Sequence, residues 1–515
     1  MFLWKMRIWP LAAKVARLSQ QSEVKALSGI DIREWSIQEI HRRFNSRQLT
    51  CVELVQAYLE RIEKYDQQGP KLNSVISVNP RALEEARELD EAFQRSGLTG
   101  PLHGIPSLLK DNVDTADMAT TAGSKSLAEM IPAADAFIVR KLRQAGAIIL
   151  AKANLHEFAI WGETVSSILG QTLNPYDLTR SPGGSSGGTG AGIAANFGTV
   201  GIGTDTVNSI RSPASANSLV GLRPTVGLVS RTGIVPYSLT QDTAGPITRT
   251  VADAAALLDV LAGHDPADPA TAESARYLPH SYRDFLNAGG LAGKRIGILH
   301  HLFGQENEHR EVNRTIHQTL DTMRRLGVEL VDIDEKFDAN RLVAEISVHL
   351  YDFQDHLNGY LRGLAGGRRV SSLQDIVATG LCHPGIEENL QKALSLSTHD
   401  PEYRQRLMWR QALQQRLLDI MASAKLNALV YPHQKCLVAA VGQPQVERNG
   451  VLAAITGFPA ITLPAGFSRP TADAPLGVPI GIEFLVRPWA EPVLINIASA
   501  LERAMPVRKP PVGLL

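Results

Sequence analysis

The chain has 515 residues, 44% of them hydrophobic, with 52 basic and 52 acidic side chains and a formal charge of zero. A neutral chain with no basic block in its body carries no electrostatic footprint for a nucleic-acid partner, and no run of about eighteen apolar residues is available to span a bilayer. Cys51, Cys382 and Cys436 are odd in number and widely separated, which spaces in neither a disulfide framework nor a zinc site and leads us to expect a reducing, cytoplasmic setting.

Residues 1–30 read apart from the rest. MFLWKMRIWPLAAKVARLSQQ carries Lys5, Arg7, Lys14 and Arg17 with no acid before Glu23, and sets Phe2, Trp4 and Trp9 among aliphatics. Three readings share that composition: a disordered leader, an amphipathic anchor touching a membrane surface, and a targeting peptide. Pro10 interrupts any single helix there. Ser36 with Glu39, and Thr50 with Glu53, then read as capping boxes, the second opening a helix with Leu54, Val55, Tyr58, Leu59 and Ile62 on one stripe. A strand is expected over residues 75–78 and a helix over 81–94. The loop GPLHGIPSLLKDN follows and delivers Lys110 behind a short apolar run, where burial would lower its pKa enough to make it a base. His103 in the same loop is a rival base.

Residues 137–145 read as a helix and 147–150 as a buried strand. The stretch from Ser181 to Thr225 is built almost wholly of small residues, which let backbones approach a reacting group closely. Two hydroxyls stand out in it, Ser185 in GGSSGG and Ser209 in GTDTVNSIR. GSSGG matches the spacing of a nucleophile elbow centred on Ser186, but the apolar strand that elbow needs is replaced by TRSPG. Gly190, Gly192 and Ala195 match a dinucleotide fingerprint without its strand or its downstream acid, and a phosphate loop would need the absent Gly-Lys-Ser/Thr. Beyond this stretch a strand is expected near Val229, and a helix capped by Thr250 and Asp253 and ending near Gly263. KRIGIL, a helix carrying Val312, Ile316, Leu320 and Met323, and VELVDI read as a βαβ unit. Residues 340–424 are helical and polar, and a strand at 426–431 follows. His349, Asp352 and His356 fall on one helical face at metal-ligand spacing.

GIPSLLKDN, GGSSGG, GTDTVNSIRSPA and VGLRPT, followed by NGVLAAITGFPAITLPAGF and GVPIGIEFLV, stand in the order and at the spacing of the amidase signature family of serine hydrolases. The chain resembles that family from about Trp35 to about Ala500, more weakly over 270–425. The resemblance implies an α/β fold, a large twisted mixed sheet covered by helices, in one domain over residues 31–510. The insertion at about 340–424 resembles the helices that overhang the active site in the peptide amidase subgroup. It implies hydrolysis of a carboxamide C–N bond to carboxylate and ammonia or amine through an acyl-enzyme on Ser209, with Ser185 as bridging serine and Lys110 as base.

The same resemblance makes the Gly184–Ser185 peptide cis and assigns the oxyanion hole to the backbone N–H groups of Thr206, Val207, Asn208 and Ser209. It leaves Gly184, Ser186, Asp205 and Arg211 in support, with no metal and no organic cofactor. The expected partner is a small amide with an apolar, aryl or peptide-like acyl group, with Trp161 to Ile168, Tyr351 and Phe353 near its pocket; a homodimer stays open. Two other readings remain: a transamidase-type subunit that passes ammonia to a partner, and a metal-dependent hydrolase using the His349 face. One departure stands out, because the family carries a Gly pair where this chain has Val207 and Asn208. A β-branched residue disfavours positive φ, so Val207 is expected at φ < 0, with its side chain behind the loop or in the pocket.

Overall fold

The computed structural model describes residues 30–364 and 370–514. The leader therefore lies, but for Ile30, outside the described residues. Eleven strands form one mixed sheet: β1 (Val75–Val78), β2 (Pro106–Lys110), β3 (Ile148–Ala153), then, beyond a two-stranded hairpin of β4 (Val165–Ser166) and β5 (Gly170–Gln171), β6 (Val200–Asp205), β7 (Val220–Arg223), β8 (Thr243–Thr248), β9 (Arg295–Leu299), β10 (Glu329–Ile333), β11 (Ala428–Pro432), β12 (Ala460–Phe467) and β13 (Pro479–Leu485). Their order is β1-β3-β2-β6-β8-β7-β12-β13-β11-β9-β10. The mixed sheet covered by helices is the α/β architecture expected. No helix among the described residues is long and apolar enough to cross a membrane.

Strands at the middle of the sheet are buried on both faces, which is why PSLLK, IILAKA and VGIGTD show no apolar–polar alternation. Helices with one apolar stripe cover them, among them Arg310–Arg325, which buries Val312, Ile316, Leu320 and Met323. β9, that helix and β10 make the βαβ unit read from the sequence, with the two strands parallel. Thr50 and Glu53 form a complete capping box, and Thr250 caps its helix by accepting from the Asp253 N–H. Ser36 makes only half of one: it accepts from the Glu39 N–H, while the Glu39 carboxylate turns to Arg42 and Arg43.

Two sequence expectations are corrected. Lys110 ends a strand rather than riding in a loop, because β2 is held in parallel by β3 on one side and β6 on the other. No strand forms near Val229, which makes only single bridges to Val226 and Ala262. The strand in that region is β8, TAGPIT, whose Gly and Pro conceal it from a pattern search.

Candidate active site

β2 and β6 run side by side, and their C-terminal ends place Lys110 next to Thr204 and the start of the 206–210 turn. The Lys110 side chain is fully buried. Its Nζ lies 2.7 Å from Ser185 Oγ, 2.8 Å from Thr204 Oγ1 and 3.4 Å from the Thr204 carbonyl. Burial drives its pKa down to about 7, against the pull of Asp242 and Asp205. A second buried lysine shows the contrast: Lys152, on the neighbouring β3, has its own acid, Asp111, at 3.1 Å, whereas Lys110 forms no ion pair among the described residues. A buried ammonium without a counter-charge is costly, so a large share of the side chain is the amine at neutrality.

Ser185 follows a cis peptide bond from Gly184. Its carbonyl accepts from the His156 N–H at 3.0 Å. The turn is clamped by Thr164, whose Oγ1 donates to the Gly183 carbonyl at 2.7 Å and accepts from the Gly187 N–H at 3.1 Å. Gly184 has no room for a side chain: a Cβ there would lie 2.7 Å from the Gly162 carbonyl carbon and 2.8 Å from Thr164 Oγ1. Gly184→Ala is therefore expected to displace Ser185 and lower kcat/KM by about a hundredfold or more with little change in KM, measured by initial rates on a small amide.

Ser209 sits in the turn between β6 and the Arg211–Ala216 helix, nearly buried. Its carbonyl accepts from the Ser186 N–H at 3.3 Å, so the two serine-bearing loops are stitched backbone to backbone. No hydrogen bond joins Ser209 Oγ to Ser185 Oγ among the described residues. The N–H groups of Val207, Asn208 and Ser209 donate to no acceptor among the described residues, while the next one, Ile210, donates to Asp205 Oδ2 at 3.0 Å. Three successive free donors form a cradle for a developing oxyanion. Neither Val207 nor Asn208 has positive φ. Val207 packs against the apolar cluster that includes Val451, Leu452 and Phe458, behind the turn. Val207→Gly is accordingly expected to keep activity on small amides within about tenfold, roughly 1.4 kcal/mol; a thousandfold loss in folded protein would mean that the side chain itself shapes the cradle.

Behind the turn lies a buried charge network that orients it. Arg211 reaches both oxygens of Asp205, at 3.1 and 3.2 Å, and also Glu483 and the Val207 carbonyl. Arg223 binds Asp205 Oδ1 from the other side at 2.8 Å. Burial alone would push the Asp205 carboxyl up, but the two guanidinium groups hold it well below the usual carboxylate range. Glu483 in turn takes His433 Nδ1 at 2.6 Å and the Tyr431 hydroxyl at 2.9 Å. Asp205 and Arg211 thus support the turn through its backbone. Removing one member strands its partners, so Arg211→Ala should lose about 3–5 kcal/mol in chemical unfolding.

Ser186 is drawn away from the cradle: its Oγ donates to the Thr204 carbonyl at 3.2 Å and accepts from the Thr204 N–H at 3.3 Å. His103 is buried elsewhere, its Nδ1 2.8 Å from Thr99 Oγ1 and its Nε2 beside Cys51. The metal-like face does not gather. His349 Nδ1 bonds Ser347, Asp352 accepts from Ser238 Oγ at 2.5 Å, and His356 Nδ1 accepts from the Leu239 N–H at 3.0 Å. That helix, His349–Gly363, is instead an anchor for residues 237–239, with Phe353 packed edge-on against Tyr237. Trp161 is exposed, whereas Tyr351 and Phe353 are buried. Sequence reasoning did not single out Thr204, Arg223, Glu483 or His433. Thr204, Arg223 and Glu483 stood in the GTDT, VGLRPT and GVPIGIEFLV motifs, but nothing local marks Arg223, Glu483 or His433 as neighbours of the turn.

Known proteins are similar to this chain along most of its length. The family model described as Amidase matches residues 53–495. A protein of Arabidopsis thaliana named "probable amidase" is 36% identical over 97% of this chain and 95% of its own length. A glutamyl-tRNA(Gln) amidotransferase chain of Moorella thermoacetica is 33% identical over 92% and 98%. Among solved structures, native peptide amidase from Stenotrophomonas maltophilia is 38% identical, covers 93% of this chain and 98% of its own, and superposes with a TM-score of 0.83.

Proposed function

The chain belongs to the amidase family of amide-hydrolysing enzymes, and from that premise we propose that it is a stand-alone hydrolase that cleaves a small carboxamide through an acyl-enzyme on Ser209. The observation that carries this reading is Lys110, buried without an acid and in contact with Ser185 Oγ. An amide is a poor electrophile with a poor leaving group, so the enzyme must sharpen a nucleophile, hold an oxyanion and return a proton. Neutral Lys110 takes the Ser185 proton as Ser185 takes that of Ser209. Ser209 Oγ attacks the carbonyl carbon, and the oxygen that gains charge enters the cradle of the Val207, Asn208 and Ser209 N–H groups. The proton returns through Ser185 to the leaving nitrogen, the C–N bond breaks, and water entering by the same relay frees the acid.

A second reading has support of its own, since chains of glutamyl-tRNA(Gln) amidotransferases are 31–33% identical to this one over more than nine-tenths of its length. In that reading the ammonia would pass to a partner chain. The helical segment over residues 349–363, anchored on Tyr237 beside the site, and the higher identity to peptide amidase favour the stand-alone enzyme. Purified single chain, assayed for ammonia release from primary amides, anilides and C-terminally amidated peptides, separates the two. Turnover without any added protein, with hydroxylamine diverting the product to a hydroxamate, is the expected result; activity that appears only with other chains present would favour the amidotransferase role.

A further inference from the structure

The loop that carries the chain from β11 toward the Val451–Thr456 helix returns on itself, with Lys435 N–H donating to the Glu447 carbonyl at 3.0 Å and Asn449 N–H to the His433 carbonyl at 2.9 Å. Between these two bonds stands Arg448, partly buried. Its guanidinium lies over Gly162, close enough that a Cβ on that glycine would sit 2.7 Å from Nη1. The Gly162 carbonyl group is in turn packed against Gly184, the residue before Ser185. Arg448 is therefore two close contacts from the bridging serine.

The guanidinium nevertheless has no hydrogen bond and no ion pair among the described residues. Its nearest counter-charge is engaged elsewhere: Glu163 Oε2 accepts from the Gly162 N–H at 3.0 Å and Oε1 from the Gln445 N–H at 2.7 Å. The Tyr237 hydroxyl, which lies within the field of Arg448, is buried and also has no partner. Five unmet N–H donors beside a reaction centre, with a hydroxyl in the same field, suit an acceptor oxygen that arrives with the substrate.

Resting on the amidase reading above, we propose that Arg448 is a specificity-determining residue that selects primary carboxamides whose acyl part carries a second acceptor oxygen, the carbonyl of an acylamino group or a carboxylate. A primary amide loses only ammonia, so every other group of the substrate, the acceptor included, belongs to the acyl part. Substrate pairs that differ by the acceptor alone isolate the effect: N-acetyl-L-leucinamide against 4-methylpentanamide, and glutaramate against pentanamide.

In Arg448→Met the ratio of kcat/KM within a pair is expected to fall about tenfold or more, through KM rather than kcat, with partial recovery in Arg448→Lys, which offers a point charge in place of a fork. A fall in the first pair identifies a carbonyl and in the second a carboxylate. Ratios unchanged within about twofold in both pairs would overturn the proposal, whether the variant loses activity on everything or on nothing. Failure of the amidase reading looks different, since then the unaltered chain turns over none of the four. In that event calorimetric titration of Ser209→Ala with N-acetyl-L-leucinamide and glutaramate decides. Binding that Arg448→Met abolishes upholds the role of Arg448, and absent or unaltered binding overturns it.

Discussion

Ser209→Ala is expected to lower kcat by on the order of 10⁴-fold or more while leaving the fold intact. The reason is that the neighbouring hydroxyls are engaged elsewhere, Ser185 with Lys110, Ser186 with Thr204 and Thr206 with Asp242. Ser185→Ala should cost less, because a water admitted beside Lys110 Nζ would carry the proton in part. Ser186→Ala should cost least in catalysis, since its hydroxyl only ties the loop to Thr204; its effect should appear in stability, at about 1 kcal/mol for a buried hydrogen bond. Rates and thermal unfolding on the three variants check the order. An inactive Ser186→Ala beside an active Ser209→Ala would move the nucleophile to the elbow-like Ser186.

Lys110→Ala should be equally severe, and Lys110→Arg should not restore activity, because a guanidinium cannot give up its proton at working pH. The pH profile supplies the more discriminating measurement. Lys110 is held at about 7 by burial, and the reactive form is the amine. Below that value the inactive ammonium accumulates, so kcat/KM should rise roughly tenfold per pH unit toward neutrality and level off above it. His156 and His349, which burial brings to about 3 and about 4, are neutral throughout that range and cannot produce the limb. Any residual activity of Lys110→Ala should lack it. A flat profile down to pH 5 in the unaltered enzyme would remove lysine from the role of base.

Much of the site was legible because its parts are short and locally determined. Small residues at 183–188 and 203–209 announce close backbone approach, and the order Lys110, Ser185, Ser209 is a matter of chain position alone. Capping at Thr50 and Thr250, and the stripes of the Arg310–Arg325 helix, are likewise interactions over three or four residues, which sequence periodicity expresses directly. β8 was illegible for the opposite reason. A strand held between two neighbours gets its backbone bonds from them whatever its own propensity, so TAGPIT is a strand only in the company of β6 and β7.

What the sequence by itself determined, then, is the set of candidate reacting groups and the segments that bear them. The tertiary structure decided what those groups are able to do. Lys110 has the lowered pKa that its proposed role as base requires because β3 and β6 close over β2 and remove it from water, an effect of burial that no local pattern encodes. The Asp205–Arg211 pair is a brace for the nucleophile turn because Glu483 arrives from 272 positions away to share the guanidinium. Arg448 comes to lie over Gly162, 286 positions earlier in the chain, for the same kind of reason. Charge and burial act through space, and in this fold the sheet brings together residues from opposite ends of the chain.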